Sequence, residues 1–270
     1  MKFDDVRGII CDMDGVLWRG NTLLNGFAAF FDLLHDADLP FMLATNNSSK
    51  TPTEYVERLA GFGVTVTPEQ IITSGTATRD YLQQAYPHGV ALHVVGSPSL
   101  KAMLAEAGFQ IVAEGADAVI VGLDKDMTYR TLMEATFNLR AKPNVRLIGT
   151  NSDKTFPGER GLQPGNGSIV AALVSASDIP PEFIGKPHAP MFHAALGHLG
   201  TTPADTLMIG DRLDTDIAGA AILGIRTALL FSGVTHHNDL IESDIQPDVA
   251  YDDLKALITA WNYTGGKRKR

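Results

Sequence analysis

The stretch from Ile9 to Gly20 reads I-I-C-D-M-D-G-V-L-W-R-G and decides the fold class. Its apolar run ends in two aspartates, Asp12 and Asp14, separated by one methionine. Two like charges at the end of a strand are costly unless a cation lies between them. In open α/β sheets, ligands bind beyond the carboxyl ends of the strands. The stretch therefore predicts a site for a hard cation at a sheet edge, although similar acidic turns also occur in ordinary loops and calcium sites.

Short runs rich in Val, Ile and Leu alternate with amphipathic runs along the whole chain. This alternation predicts an α/β protein built from βαβ units with mostly parallel sheets. The predicted strands are Gly8–Cys11, Pro40–Ala44, Val90–Val95, Ala118–Gly122, Arg146–Gly149, Thr206–Ile209 and Ile225–Leu230. The predicted helices are Phe27–His35, Thr53–Leu59, Pro98–Ala107, Thr131–Leu139, Gly167–Ser177, Pro190–Leu199 and Thr215–Leu223.

Two turn-rich places are candidate domain boundaries. One is Tyr86-Pro87-His88-Gly89, and the other is Asp178-Ile179-Pro180-Pro181, whose paired prolines stop a helix. If both are boundaries, residues 80–182 form an inserted α/β domain, and residues 1–79 and 183–270 form one core. That division would bring motifs from both ends of the chain into one site.

Two further runs end in groups that suit a phosphate. Thr45, Asn46 and Asn47 follow the second predicted strand and precede a helix, so their polar groups and backbone N–H groups predict an anion cradle. An ordinary N-cap loop favours the same residue types. Lys186 ends a short apolar run and could neutralise a phosphate, although a surface lysine is the commoner explanation of a single Lys.

A fourth strand end supplies more carboxylates. Asp211 follows an apolar run and could complete the cation site begun by Asp12 and Asp14. Asp214 and Asp216 open the next helix, where the dipole favours acidic residues, and Asp214 is interpreted as an N-cap. Because all four strand ends lie outside the predicted insertion, they indicate one phosphate-and-metal site.

Composition excludes several classes of function. The net charge of −9 over 270 residues argues against a nucleic-acid partner. The single cysteine, Cys11, cannot form an intramolecular disulfide and favours a reducing compartment. The first seven residues lack the basic segment of a signal peptide, and no apolar run approaches the roughly 20 residues of a membrane helix. We expect a cytoplasmic protein with no membrane partner, and the basic run Lys267–Arg270 is interpreted as a solvated tail.

In order, the strings D-M-D-G-V, T-N-N, G-K-P and G-D-R-L-D-T-D-I resemble the four signature motifs of the haloacid dehalogenase (HAD) superfamily of phosphatases. The longer strings D-G-V-L-W-R-G and T-N-N-S-S-K-T resemble its C2-capped branch, subclass IIA, which includes p-nitrophenyl phosphatases, phosphoglycolate phosphatases and NagD-like nucleotide phosphatases. The resemblance implies a Rossmann-like, doubly wound parallel sheet core with an inserted α/β cap. It also implies hydrolysis of small phosphorylated metabolites, and it favours a homodimer.

The resemblance assigns roles to the aspartates. Asp12 matches the nucleophile, which forms an aspartyl-phosphate, and Asp14 matches the general acid and base. Asp12, the backbone carbonyl of Asp14, and Asp211 match the ligands of Mg²⁺. Asp216 matches a secondary acidic residue near the metal or the lysine.

The remaining motif residues match groups that bind phosphate. Thr45, Asn46 and Asn47 match the phosphate-binding loop, and Lys186 matches the conserved catalytic lysine. Within the cap, residues 155–162 match no family pattern. The substrate is therefore open among 2-phosphoglycolate, nucleoside monophosphates and small sugar or polyol phosphates.

A rival hypothesis from another class is a receiver-like phospho-acceptor, which uses Mg²⁺ and an aspartate but stores the phosphate. Asp14 discriminates between the two, since a carboxylate two positions after the nucleophile speeds dephosphorylation. A signalling switch also has no need of a large cap.

Overall fold

The computed structural model describes residues 3–86, 90–158 and 160–264. Strands and helices alternate through these residues. The strands are β1 Gly8–Asp12, β2 Trp18–Arg19, β3 Thr22–Leu23, β4 Phe41–Thr45, β5 Ile71–Thr73, β6 Ala91–Val95, β7 Gln110–Ile111, β8 Ala118–Val121, β9 Arg146–Gly149, β10 Thr155–Gly158, β11 Gly161–Pro164, β12 Pro181–Phe183, β13 Thr206–Gly210, β14 Arg226–Leu230 and β15 Val249–Tyr251. The α-helices are α1 Phe27–Asp36, α2 Pro52–Gly61, α3 Ser74–Ala85, α4 Pro98–Glu106, α5 Tyr129–Ala141, α6 Asn166–Ser177, α7 Ala189–Leu199, α8 Ala218–Ile222, α9 His237–Glu242 and α10 Leu254–Thr264.

The chain divides into two compact units, each made of more than one segment. The predicted insertion, residues 80–182, lies wholly within the second unit, and its limits stay a prediction. The candidate boundary at residues 87–89 and the basic tail lie outside the described residues. The first unit comprises Met1–Thr45, Tyr55–Ile72 and Phe192–Arg270, and the second comprises Asn46–Glu54 and Thr73–Met191.

The sheet of the first unit has the strand order β15-β14-β13-β1-β4-β5. The central strand β1 pairs in parallel with β13 on one side and with β4 on the other. In this register, Asp12 at the end of β1 lies opposite Ala44 of β4. Because the three strands run in the same direction, their carboxyl ends share one edge of the sheet. Asp12, Thr45 and Asp211 all lie at or directly after those ends.

Both faces of this sheet are covered. Every residue of β1 and β13 is buried, as expected for parallel strands packed on both faces. Successive residues of β14 show the two faces, since Ala228 and Leu230 belong to the main core with α1 and α10. Leu229 packs instead against Leu213 and Ile217. The predicted α/β class with a doubly wound parallel sheet is confirmed.

The second unit has its own parallel sheet, with the order β12-β9-β8-β6-β7. Val119 and Val121 of β8 pack in one core with Leu139 of α5 and Leu173 of α6. Strands β9 and β12 approach so closely that a Cβ on Gly149 would lie 2.6 Å from the ring of Phe183. The antiparallel hairpin β10–β11 belongs to the same unit.

The segment after β13 differs from the predicted helix Thr215–Leu223. Its first turn, Leu213–Ile217, is a π-helix, in which the N–H of Ile217 donates to the carbonyl of Arg212 at 3.2 Å. Regular α-helix follows only in α8. Such wide turns are found mostly at functional sites, and this one carries Asp216.

None of the helices within the described ranges combines the length and the apolar character needed to cross a membrane.

Candidate active site

Three aspartates of the first unit come together at the carboxyl edge of its sheet. Asp12, Asp211 and Asp216 each offer a carboxylate oxygen, and these oxygens all lie within 4.8 Å of one another. Their side chains are buried, with 8%, 1% and 1% of the residue surface exposed. Carboxylates at this separation repel by roughly 3 kcal/mol per pair when the effective dielectric constant is about 20. An oxygen-only donor set of this kind is suited to a hard divalent cation.

Backbone N–H groups hold two of the three carboxylates in place. Asp211 Oδ2 accepts a hydrogen bond from the N–H of Val234 at 2.7 Å, and Asp216 Oδ2 accepts one from the N–H of Arg212 at 3.2 Å. The loop after β14 is in turn tied to the loop after β1, because Ser232 Oγ donates to the carbonyl of Gly15 at 2.7 Å.

The interpretation of Asp214 as an N-cap is wrong. The N-cap of the π-turn is Arg212, and the guanidinium of Arg212 donates to both carboxylate oxygens of Asp214, at 3.0 and 2.8 Å. Burial alone would raise the pKa of Asp214, but the Arg212 hydrogen bonds and charge outweigh it and hold that pKa below its ordinary value. Asp214 is therefore bound to Arg212 and is not a member of the three-aspartate cluster.

Glycine at position 233 makes room for Asp211. A Cβ added to Gly233 would lie 1.7 Å from Asp211 Oδ2, which real Cβ atoms essentially never do. We expect Gly233→Ala to displace this carboxylate and to lower phosphate release about 10²-fold, the scale of a 1 Å misplacement at a reacting site. The overpacking should also lower the free energy of unfolding by about 1–3 kcal/mol. Enzyme assays and thermal unfolding measure both effects.

Gly197 in α7 is the matched control, because a Cβ there would meet nothing within 4 Å. Gly197→Ala should keep full activity and gain up to about 1 kcal/mol of stability from helix propensity. Wild-type activity in Gly233→Ala would contradict the geometry described for Asp211.

The carboxylate of Asp14 is held separately from the cluster. Trp18 Nε1 donates to Asp14 Oδ1 at 2.8 Å. The indole of Trp18 is fully buried, and the guanidinium carbon of Arg58 lies 4.1 Å from the centroid of its ring.

Thr45, at the end of β4, is held by a tyrosine of α2. Tyr55 is 1% exposed, and its hydroxyl shares a hydrogen bond with the side chain of Thr45. Burial raises the pKa of the Tyr55 phenol well above its ordinary value, and the charges of Asp14 and Asp12 add to that rise. The Thr45 hydrogen bond and the charge of Arg58 lower this pKa by less. Tyr55 therefore stays protonated at neutral pH beside the phosphate-binding threonine predicted from the sequence.

Asn46 is the centre of a hydrogen-bond network in the second unit. Its Nδ2 donates to both carboxylate oxygens of Asp153 at 3.2 Å and to the carbonyl of Lys186 at 2.8 Å. Its own carbonyl accepts from Ser74 Oγ at 2.6 Å and from Asn151 Nδ2 at 2.7 Å. The amide hydrogens of Asn46 are thus already donated within this unit. Its predicted contact with phosphate stays a prediction.

Asn47 and Lys186 complete the set of predicted site residues. Asn47 Oδ1 accepts from the N–H and the hydroxyl of Ser49, at 2.8 and 2.7 Å, and so closes a local turn. Lys186 is only 3% exposed. A lysine is almost never buried to this extent unless it is paired, so the alternative of an ordinary surface lysine is wrong. The predicted phosphate-binding roles of both residues stay predictions.

The chain matches the haloacid dehalogenase-like hydrolase family over residues 9–110 and a HAD-hydrolase-like family over residues 183–257. It is 35% identical over 253 residues to an acid sugar phosphatase of Staphylococcus epidermidis, an alignment that covers 93% of this chain and 96% of that relative. The chain belongs to the haloacid dehalogenase-like hydrolases. Its relatives in this family are named phosphatases, and this HAD protein is an enzyme of that kind.

Two solved HAD structures extend the comparison. The 4-nitrophenylphosphatase of Thermotoga maritima superposes with a TM-score of 0.91 at 31% identity, over 96% of this chain and 99% of that one. NagD from E. coli K-12 superposes with a TM-score of 0.85 at 32% identity, over 92% and 97% of the two chains. These similarities confirm the resemblance to the C2-capped branch.

The sequence analysis did not assign roles to Trp18, Tyr55 or Gly233. Gly233 had a signal of the kind already used, because a Ser-Gly pair follows the apolar run that forms β14. Trp18 stands inside the opening stretch, four residues after Asp14, but the spacing alone does not show that its N–H reaches the carboxylate. Nothing in the sequence pairs Tyr55 with Thr45.

Proposed function

We propose that this HAD-family phosphatase hydrolyses small sugar phosphates in a Mg²⁺-dependent reaction that passes through a phosphorylated Asp12. The observation that carries the proposal is the buried cluster of Asp12, Asp211 and Asp216 at the carboxyl edge of the parallel sheet. Asp14, two residues after Asp12, supplies a fourth carboxylate that belongs to no such cluster among the described residues.

The donor set of the cluster fits Mg²⁺. It consists of oxygen atoms only, and its carboxylates come from two strand ends and a tightly held turn, so the positions are fixed before any ion binds. Asp12, Asp211 and Asp216 would hold the ion, with the backbone carbonyl of Asp14 as a further predicted ligand. When bound, Mg²⁺ would offset the repulsion between Asp12 and a phosphate dianion and stabilise charge on the phosphoryl oxygens.

The aspartates carry the two chemical steps. In the first, a carboxylate oxygen of Asp12 attacks phosphorus in line, the bond to the ester oxygen breaks, and Asp14 gives that oxygen a proton. In the second, Asp14 takes a proton from water, the resulting hydroxide attacks phosphorus, and the bond to Asp12 breaks. Inorganic phosphate leaves, and both aspartates return to their starting states.

The size of the task requires more than a nucleophile. Hydrolysis of phosphate monoesters can demand up to ~10²¹-fold acceleration, or roughly 28 kcal/mol at about 1.36 kcal/mol per tenfold. Positioning supplies about 7–11 kcal/mol. Much of the remainder must come from charge stabilisation, which is the role predicted for the metal site and for Lys186.

The substrate class is proposed from the relatives. The acid sugar phosphatase matches 93% of this chain, whereas the 4-nitrophenylphosphatase is named for a chromogenic compound. NagD-like nucleotide hydrolysis and 2-phosphoglycolate hydrolysis remain the alternatives from the sequence. The receiver-like alternative is not supported, because the relatives that match nearly the whole chain are named phosphatases.

A panel of phosphate monoesters tests this proposal. We expect kcat/KM for hexose or pentose phosphates to exceed that for 2-phosphoglycolate and nucleoside monophosphates at least tenfold, or about 1.4 kcal/mol in transition-state binding. p-Nitrophenyl phosphate serves as the general reporter of phosphatase activity. A preference for 2-phosphoglycolate or for a nucleotide would reject the substrate class but keep the chemistry. Absence of phosphate release from every monoester would reject both.

A further inference from the structure

Asp14 is an exposed carboxylate that depends on a buried partner. Its side chain is open to solvent, and an exposed aspartate ordinarily samples several rotamers. Trp18 contributes a fully buried indole whose N–H lies 2.8 Å from Asp14 Oδ1. A buried indole N–H almost always needs an acceptor, and here that acceptor is Asp14. The hydrogen bond therefore links a rigid group to a group that would otherwise be mobile.

The backbone between the two residues forces them together. Gly15 N donates to the carbonyl of Trp18 at 2.8 Å, and Leu17 N donates to the carbonyl of Met13 at 2.8 Å. Gly15 has a φ of +92°, a conformation that glycine adopts without strain. The chain therefore makes a closed turn immediately after Asp14, which returns the indole to the carboxylate four residues before it.

A second element holds the indole from its other side. The guanidinium carbon of Arg58, in α2, lies 4.1 Å from the Trp18 ring centroid, and the same guanidinium donates to the carbonyl of Gly20. The ring of Phe62 lies 6.2 Å from that of Trp18. With a cation over its face and an aromatic ring nearby, the indole has little freedom to rotate.

We infer that Trp18 is a positioning residue for Asp14: its N–H fixes Oδ1 and so presents Oδ2 as the atom that carries the proton. This inference rests on the proposed function, in which Asp14 protonates the leaving oxygen. Its consequence is selective, because only leaving groups that need a proton depend on the orientation of Asp14. An alkoxide from a sugar or glycerol phosphate needs one, whereas p-nitrophenolate is a stable anion.

Trp18→Phe tests the inference, because phenylalanine keeps an aromatic ring beside Arg58 and removes the N–H. We expect kcat/KM for glycerol phosphate to fall about tenfold, a part of the roughly 10²–10⁴-fold that a positioned proton donor supplies. For p-nitrophenyl phosphate, kcat/KM should change less than about twofold, because its phosphoryl transfer needs no proton. The ratio kcat/KM is the right measure, since it does not include hydrolysis of the phosphorylated enzyme, a step that is the same for both substrates.

Trp261 provides the matched control. It is 8% exposed, stacks on Phe3 with ring centroids 4.4 Å apart, and touches none of the proposed site residues described above. Trp261→Phe should leave the ratio of kcat/KM for the two substrates at the wild-type value. If Trp18→Phe lowers both substrates equally, or neither, Trp18 is a packing residue only and the inference is overturned.

Two further measurements separate the inference from its premises. If Asp14→Asn retains turnover of glycerol phosphate, the proposed role of Asp14 fails; if it loses turnover while Trp18→Phe keeps the wild-type ratio, only the positioning role fails. Fluorescence serves even if Trp18→Phe does not fold. In the Trp261→Phe background, Trp18 is the sole tryptophan, and its emission should shift when Asp14→Asn replaces the carboxylate. Unchanged emission would show that the hydrogen bond does not form in solution.

Discussion

Asp12→Asn is expected to abolish phosphate release while leaving the fold intact. Asparagine has the same shape, but its amide cannot form the acyl phosphate, so turnover should fall about 10⁴-fold or more, as happens when a covalent nucleophile is removed. Stability should not fall, because the substitution removes one of three buried negative charges that lie within 4.8 Å of one another. Phosphate release and thermal unfolding measure the two effects.

Asp36→Asn is the control for the change of charge. Its side chain is 84% exposed at the end of α1, where it lies 3.7 Å from His35, and surface substitutions of this kind rarely matter. It should retain full activity. Wild-type-like phosphate release from Asp12→Asn would remove the nucleophile from the mechanism and would require another residue in its place.

Removal of divalent metal is expected to produce the second large loss. A chelator should reduce turnover to background, and added Mg²⁺ should restore it, because three clustered carboxylates otherwise repel a phosphate dianion. Mg²⁺ should also raise the melting temperature by mass action. At 100 times Kd the gain is about 2.7 kcal/mol, or several degrees for a chain of this size. Activity and melting temperature followed against Mg²⁺ concentration measure both effects.

Two variants from one segment assign the response to the cluster. Asp211→Asn removes a charge from the cluster, so it should require at least about tenfold more Mg²⁺ for half-maximal activity. Asp214→Asn removes a charge three residues later that is bound to Arg212, and it should keep the wild-type Mg²⁺ dependence. Equal responses of the two variants, or turnover that survives chelation, would show that the cluster does not hold the catalytic ion.

The strands of the central sheet could be predicted because each is a short buried apolar run with a clear end. Predicted Gly8–Cys11 and observed β1 differ by one residue, as do predicted Thr206–Ile209 and observed β13. Parallel strands covered on both faces need apolar residues at every position, and this requirement is visible in the sequence. Helix α3 was missed for the opposite reason, since its first turns bury Ser74, Thr76 and Thr78 and show no apolar periodicity.

The irregular elements also escaped sequence reasoning. The π-turn at Leu213–Ile217 depends on where Asp216 must point, and a π-turn has no signature in residue type. The hairpins β2–β3 and β10–β11 are too short for their alternation to be distinguished from that of a loop. In each case local preference is weak, and contacts with the rest of the fold decide the conformation.

The sequence by itself determined which residue types end each strand. The parallel βαβ rule then placed Asp12, Thr45 and Asp211 at one sheet edge, because parallel strands expose their carboxyl ends together. Tertiary structure alone decided how these groups are held. The hydrogen bond from Trp18 to Asp14 and the fit of Asp211 against Gly233 depend on atomic separations of 2.8 Å and less. Such separations arise from packing between elements, and packing leaves no period or motif along the chain.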